Sequence, residues 1–450
     1  GAGGGEEVGA GRGGAPAVAA GGAGAPGGGD DTAGLGAGRA GERVTIAGWV
    51  IAARSHGAIS FLTVRDRRGS AQVVAKSGEC PDAAREAASS LKPHSVVAAT
   101  GTLRAAPKAP AGVEVALESI HVHSRVEKTP PFEPMARTVK NIDTRLELRA
   151  VDLRRGVLRD VFLARNAALG AIRAYLAQEE FVEVNTPKLI STATEGGASL
   201  FSVFYYHRRA FLAQSPQLYK EQLTMAFERV SEIAPIFRAE ASRTPRHLSE
   251  AISIDLEEAF ADQHAIMDRV EAIVRAAAGA ISASPGEGGA IRVPEIPDRI
   301  PRRTYSEMVD ALRAAGARTR WGEDLYPSEL RKAGISGFYF VHGWPLGPKP
   351  FYVKASPDGR TSESFDLMFG DLEVSSGSTR VSDRAELEAR MSAKGMDTSA
   401  FDYHLRTFDY GMPPHAGCGI GLERLIMALT GTPDIKDATF YPRDVDRLTP

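Results

Sequence analysis

Two arginine-bearing segments lie far apart in the chain, FRAEASRTPRH at 237–247 and GIGLER at 419–424. Arg238 precedes Glu240 by two residues on an expected strand, a spacing that turns both side chains to one face. Arg424 opens an expected helix behind a glycine-rich turn that includes Gly421. Guanidinium groups so placed suit a nucleotide triphosphate, whose charge must be neutralised before part of it can leave. Between them, SFDLMFGDLEVSSGSTR at 364–380 places Glu373 and Ser376 near each other.

Such groups need a scaffold, and the chain offers two. From Arg43 to about Lys128 five β-rich runs follow one another: VTIAGWV, ISFLTVRD, SAQVVA, SVVAATGTL and GVEVALESIHV. Gly57 and Gly69 mark turns, and Asp82–Leu91 reads as one short helix. Five strands and a helix suggest an OB-fold barrel over 41–128, a fold that commonly presents a face to single-stranded nucleic acid. TPPFEP at 129–134 is a stiff connector, so 129–150 is read as a linker. A larger mixed domain follows over 151–450, giving an α+β protein overall. Leu169, Ile172 and Leu176 keep helical spacing, and Asn185–Pro187 ends that pattern.

Composition excludes some classes. A net charge of −2 over 450 residues gives no global field, so any nucleic acid must be held by local basic patches. Cys80 and Cys418 are the only cysteines, which argues against a disulfide framework or a zinc site and for a reducing, cytoplasmic setting. No apolar run approaches the roughly 18 residues of a membrane span. Residues 1–40 are Gly/Ala-rich and read as a disordered tail, too poor in bulky side chains to offset ordering entropy.

The arginine segments resemble motifs 2 and 3 of the class II aminoacyl-tRNA synthetases, and the words between them resemble the aspartyl branch of archaeal and eukaryotic type. The likeness runs from about residue 43 to YPRDVDRLTP at the end. It implies an aspartate–tRNA ligase that uses ATP and Mg2+ to form aspartyl-adenylate from L-aspartate. The aspartyl group then passes to the terminal adenosine of tRNA(Asp), with tRNA(Asn) left open as a second acceptor. The alternatives are an asparagine–tRNA ligase and a non-catalytic RNA-binding paralogue. The presence of Arg238, Glu373 and Arg424 speaks against the last.

Residue by residue, the resemblance implies that Arg238 meets the α-phosphate, Arg246 and His247 the outer phosphates, and Arg424 the adenine and γ-phosphate. Glu373 and Ser376 would hold the metal. EGGASLF at 195–201 and AQSPQLYK at 213–220 match the aspartyl signature. There Glu195, Gln217 and Asp255 would receive the α-ammonium group, while Lys220 and Arg380 clamp the side-chain carboxylate. Arginine's fork and lysine's point charge suit a carboxylate better than an amide. His415, in GMPPHAG, would lie on a loop beside that pocket. In the barrel, Phe61 would stack an anticodon base and Gln72 bond the central uridine. FVEVNTP resembles motif 1, which implies a homodimer with Pro187 at its interface. Five positions depart from the pattern: Ser378 and Thr379 before the pocket arginine, Ala251 at an adenine-stacking position, and Ile51 and Pro110 at barrel positions tied to anticodon discrimination.

Overall fold

Alternation of apolar and polar residues closes the first part of the chain into a barrel. In the computed structural model, which describes residues 29–109, 112–133, 136, 141–191, 200–284, 286 and 291–450, two compact units divide at Met135/Ala136. The first holds β1 (Arg43–His56), β2 (Ile59–Arg65), β3 (Ser70–Lys76), α1 (Asp82–Ser89), β4 (Val96–Ala105) and β5 (Val113–Ser124). Its strands close in the order β1-β2-β3-β5-β4. Period two sends Leu62, Val64, Ala71 and Val73 into the barrel core and leaves Phe61, Thr63, Gln72 and Val74 half-buried on the other face. Ile51 is the surplus residue of a bulge in β1 and is buried. Pro110 lies outside the described residues.

The reading of 1–40 as a tail is corrected from Gly29 onward; residues 1–28 lie outside the described residues. Thr32–Gly34 and Ala37–Arg39 form short 3-10 turns against the barrel. Leu35 is 4% exposed within the barrel core. Asp30 donates its backbone N–H to the Thr45 carbonyl, and the Asp66 carboxylate accepts from the Thr32 amide and hydroxyl. One apolar side chain and two carboxylates suffice to fix a segment whose average composition reads as unstructured.

The second unit begins with α2 (Ile142–Glu147), α3 (Arg149–Asp152) and α4 (Gly156–Gln178). The last part of the expected linker is therefore helical. Arg149 explains this: fully buried, it donates to the carbonyls of Lys436, Thr439 and Phe440 and pairs with Asp152 at 2.9 Å. There follow β6 (Val182–Glu183), β7 (Leu189–Ile190), β8 (Ser202–Tyr205), β9 (Arg208–Leu212), α5 (Gln217–Phe227), β10 (Arg229–Phe237), β11 (Glu250–Ala259) and α6 (Gln263–Ser282). The remainder is β12 (Arg302–Thr304), α7 (Tyr305–Ala314), α8 (Pro327–Lys332), β13 (Phe338–His342), β14 (Ser364–Phe369), β15 (Leu372–Thr379), α9 (Arg384–Ala393), α10 (Asp402–Leu405), β16 (His415–Gly421) and α11 (Leu422–Thr430).

Eight strands form one sheet in the order β12-β13-β14-β15-β16-β11-β10-β6, antiparallel through its middle and parallel only at its two end pairs. Its two faces differ in chemistry. Ile254, Leu256, Cys418, Ile420, Phe365 and Leu367 join the core with α4, α6 and α11. The alternate residues Ser253, Asp255 and Glu257 turn to the opposite face, which carries the cavity described next.

Candidate active site

The polar face of the sheet is hollow because β16 carries glycine at every second position. Gly417, Gly419 and Gly421 sit opposite Glu257, Asp255 and Ser253 of β11. A Cβ on Gly417 would come within 2.1 Å of Glu257 Oε2, so only glycine admits that carboxylate. Above this floor lies a cavity of about 350 Å³. Among its lining are Arg238, Glu240, Arg246, His247, Glu373, Ser376, Gly421 and Arg424, together with Gln217, Asp255 and Arg380. Residues from 217 to 424 thus meet in one place.

At the phosphate-suited end, Arg238 follows β10 directly, its backbone N–H bonded to the Ser249 carbonyl. Strand structure stops at Phe237, so Arg238 and Glu240 share the cavity by loop geometry rather than by strand period. Among the described residues, no carboxylate lies within ion-pair distance of the exposed Arg238 guanidinium. Arg246 is held by Asp371 at 2.8 Å. Arg424 donates to the backbone carbonyls of Glu373 (3.1 Å) and Arg246 (3.3 Å), tying the two distant segments together. Burial lowers the Arg424 pKa, with Glu373 opposing and Arg238 and Arg246 adding to the fall. His247 is depressed by burial and then by Arg424, which keeps it neutral at physiological pH.

Glu373 and Ser376 are three residues apart, which in a regular strand would turn them to opposite faces. A bulge corrects this. Leu367 pairs with Ser375 and Met368 with Glu373, leaving Val374 surplus, and both Glu373 and Ser376 emerge on the exposed face. Asp366, directly opposite Ser376, joins them. It is a residue that the sequence reading did not assign. Burial, only partly offset by Lys349, raises its pKa to about 6. Its Oδ2 is 3.7 Å from Lys349 Nζ, while its Oδ1 is buried without a hydrogen-bond partner. Asp366 stands in the quoted word SFDLMFGDLEV, and its pairing across the Gly370-Asp371 turn was the available signal.

At the other end, Arg380 is buried and anchored. Its Nε and Nη2 donate to Glu257 at 2.8 and 3.2 Å, and its Nη1 donates to Ser378 Oγ at 2.7 Å. Of five guanidinium N–H groups, three are used and two remain for a ligand. Burial opposes the charge, yet Glu257 holds the Arg380 pKa above its usual range. The departures at 378–379 have structural tasks: Ser378 steadies Arg380, and Thr379 Oγ1 accepts from the first amide of α6.

Two placements correct the expectations. Lys220 does not line the cavity. Its ammonium lies beneath the floor, bonded to Asp255 Oδ1 and the Cys418 carbonyl, both at 2.9 Å, and 3.3 Å from Glu257 Oε2. Burial alone would depress it, but Asp255 and Glu257 outweigh that and raise its pKa. Its donors are engaged by those groups, which ties it to the two acids. His415 begins β16 instead of lying on a loop. It is fully buried, with Nε2 3.8 Å from Glu221. Burial lowers and Glu221 raises its pKa, and the carboxylate prevails. Glu195 lies outside the described residues. Ala251 lines the cavity.

Outside this cavity, Gln72 Nε2 donates to Glu114 at 3.0 Å in the barrel, two strand positions from Phe61 across the β2–β3 pair. Pro187 borders a separate groove with Tyr219, Gln222 and Tyr410. Among the described residues no cluster of three His, Cys, Asp or Glu side chains suits a metal ion, and no helix is long and apolar enough to cross a membrane.

Residues 141–445 match the family of class II tRNA synthetases (D, K and N), and residues 44–122 match the OB-fold nucleic acid binding domain. An aspartate–tRNA(Asp/Asn) ligase of Archaeoglobus fulgidus is 41% identical, over 91% of this chain and 97% of its own. An aspartate–tRNA(Asp) ligase of Pyrobaculum aerophilum is 44% identical, over 91% and 96%. Among solved structures, the asparaginyl-tRNA synthetase of Pyrococcus horikoshii complexed with asparaginyl-adenylate superposes with a TM-score of 0.87 at 30% identity, covering 94% of this chain and 99% of that one.

Proposed function

The chain belongs to the class II tRNA synthetases of the D, K and N group, and on that premise we propose that it is an aspartate–tRNA ligase. The observation that carries the choice of amino acid is Arg380, locked by Glu257 and Ser378 with two N–H groups left facing the cavity. Two parallel donors match the two oxygens of a carboxylate. An amide in the same place would offer one acceptor oxygen and one repelled NH2 group. Asp255, with Oδ1 committed to Lys220, keeps Oδ2 for the α-ammonium, and Gln217 borders the same space.

ATP would lie along Arg238, Arg246, His247 and Arg424. The aspartate α-carboxylate attacks the α-phosphate and pyrophosphate leaves, so the protein supplies alignment and charge neutralisation rather than a nucleophile. Arg238, with no carboxylate partner among the described residues, is free to follow charge developing on the α-phosphate. Glu373, Asp366 and Ser376 would hold Mg2+. Two carboxylates and a hydroxyl, with an unpartnered buried oxygen on Asp366, fit an ion that completes its shell with phosphates and water. When bound, the metal would neutralise the outer phosphates. In the second step the terminal ribose hydroxyl of the tRNA attacks the aspartyl carbonyl and AMP departs.

Phe61 and Gln72 on the barrel would read the anticodon. A homodimer is supported by the exposed apolar residues Leu148, Val157, Leu163, Val182 and Leu189 around α4 and its following strands. A cytoplasmic enzyme of protein synthesis is the accompanying reading. The decisive experiment charges purified tRNA(Asp) and tRNA(Asn) in parallel with labelled aspartate, beside pyrophosphate exchange with aspartate and asparagine. Aspartate-dependent exchange is expected to exceed asparagine-dependent exchange; the reverse preference overturns the assignment. Transfer to both tRNAs marks a non-discriminating enzyme.

A further inference from the structure

Behind Gln217, on the side away from the cavity, a carboxylate is buried among imidazoles. Glu221, one helical turn further along α5, is fully inaccessible. Its Oε1 accepts from Gln217 Nε2 at 2.6 Å. Its Oε2 is 3.3 Å from His404 Nε2 and 3.8 Å from His415 Nε2. These two are close contacts without hydrogen-bond geometry, whereas the opposite ring nitrogens are hydrogen-bonded, His404 Nδ1 to Gln222 Nε2 at 3.1 Å and His415 Nδ1 to the Pro413 carbonyl at 2.8 Å. Glu221 therefore meets α5, α10 and β16 at once; among the described residues its hydrogen bond to the cavity lining goes to Gln217, and its charge also supports that of Arg380.

A side-chain amide on the first residue of a helix has free rotamers unless something holds it. Here the NH2 end is fixed by a charged acceptor, which leaves the amide oxygen in a set direction. We propose that Glu221, braced by His404, is a positioning residue that fixes the Gln217 amide for recognition of the amino-acid substrate. It does not touch the substrate. The proposal rests on the reading of this cavity as an amino-acid site, and it adds two residues that the motif words leave without a task. A hydrogen bond to a charged group is among the stronger ones, so its loss should be felt at the amino acid and nowhere else. Because Gln217 would hold the amino acid equally before and during reaction, the effect falls on KM and not on kcat.

The test compares variants of the full chain in aspartate-dependent pyrophosphate exchange. E221D keeps the charge but withdraws the carboxylate by one methylene from Gln217, whereas E221Q keeps the reach and its amide oxygen still accepts. E221D should raise KM for aspartate roughly tenfold or more, leaving kcat and KM for ATP unchanged, and E221Q, which keeps the reach but loses the charge, should raise it by a clearly smaller factor. H404A, which removes the brace, should move KM in the direction of E221D by a smaller factor. Thermal unfolding of each variant reads folding separately. A normal aspartate KM in a folded E221D overturns the proposal. So does an E221Q variant as impaired as E221D, or an equal rise in KM for ATP. If the wild type itself shows no aspartate-dependent exchange, the functional reading fails instead.

Discussion

Glu257 grips Arg380 at both ends of a carboxylate, with Oε1 2.8 Å from Nε and Oε2 3.2 Å from Nη2. The same Oε2 lies 3.3 Å from the Lys220 ammonium. Glu257 thus contacts two buried cations beneath the Arg380 end of the cavity, sharing Lys220 with Asp255. Glu257→Gln preserves the shape and removes the charge. Breaking a buried pair in this way costs roughly 3–5 kcal/mol, so unfolding by urea should show a loss of that order, with a higher KM for aspartate. Gly417→Ala should act in the same direction, since its Cβ would occupy the space of Glu257 Oε2.

Arg238 offers the opposite case. It has no carboxylate partner among the described residues, so its removal leaves nothing buried and unpaired. Arg238→Ala should reduce pyrophosphate exchange by about a hundredfold or more while the unfolding midpoint stays where it is. Near-normal exchange would remove the central assignment.

Asp366 predicts a stability that depends on pH. Its folded pKa is raised to about 6 by burial, against an ordinary carboxylate value near 4. The folded chain therefore holds this proton more tightly than the unfolded one. In metal-free protein the contribution is most favourable below about pH 4, declines as pH rises through about 6, and is constant above that. Asp366→Asn removes the decline. It should stabilise the protein at neutral pH by roughly 1–3 kcal/mol, give no gain near pH 4, and depress exchange. An equal gain at both pH values would mark a packing effect instead.

On the barrel, Phe61→Ala should leave exchange untouched and lower kcat/KM for tRNA charging. Stacking of one base on an aromatic ring contributes roughly 1–3 kcal/mol, so a fall of about tenfold or more is expected. A parallel fall in exchange would mean that Phe61 supports the fold.

The residues lining the cavity were largely legible because they sit in words whose order along the chain is distinctive. Period two along AISIDLEE at 251–258 puts Ser253, Asp255 and Glu257 on one face. What lay hidden was second-order geometry. Lys220 reads as a ligand-binding cation, yet three acceptors from two strands claim its ammonium, and no linear spacing discloses that. His415 likewise reads as a loop residue because prolines precede it, although the glycine-rich run that follows is a strand. Asp366 went unassigned because its partner is fixed by a pairing register rather than by its neighbours in sequence. Leu35 was lost in a stretch whose average composition masks a single anchoring side chain.

Glu373 and Ser376 share a face only while Val374 stays out of the β14–β15 ladder. Ironing the bulge flat at constant length would rotate Glu373 to the greasy side of the sheet without altering any charged group, whereas deleting Val374 would leave the two side chains two positions apart and facing the same way. For this hairpin, the place where the ladder slips matters more than the identity of the residues around it.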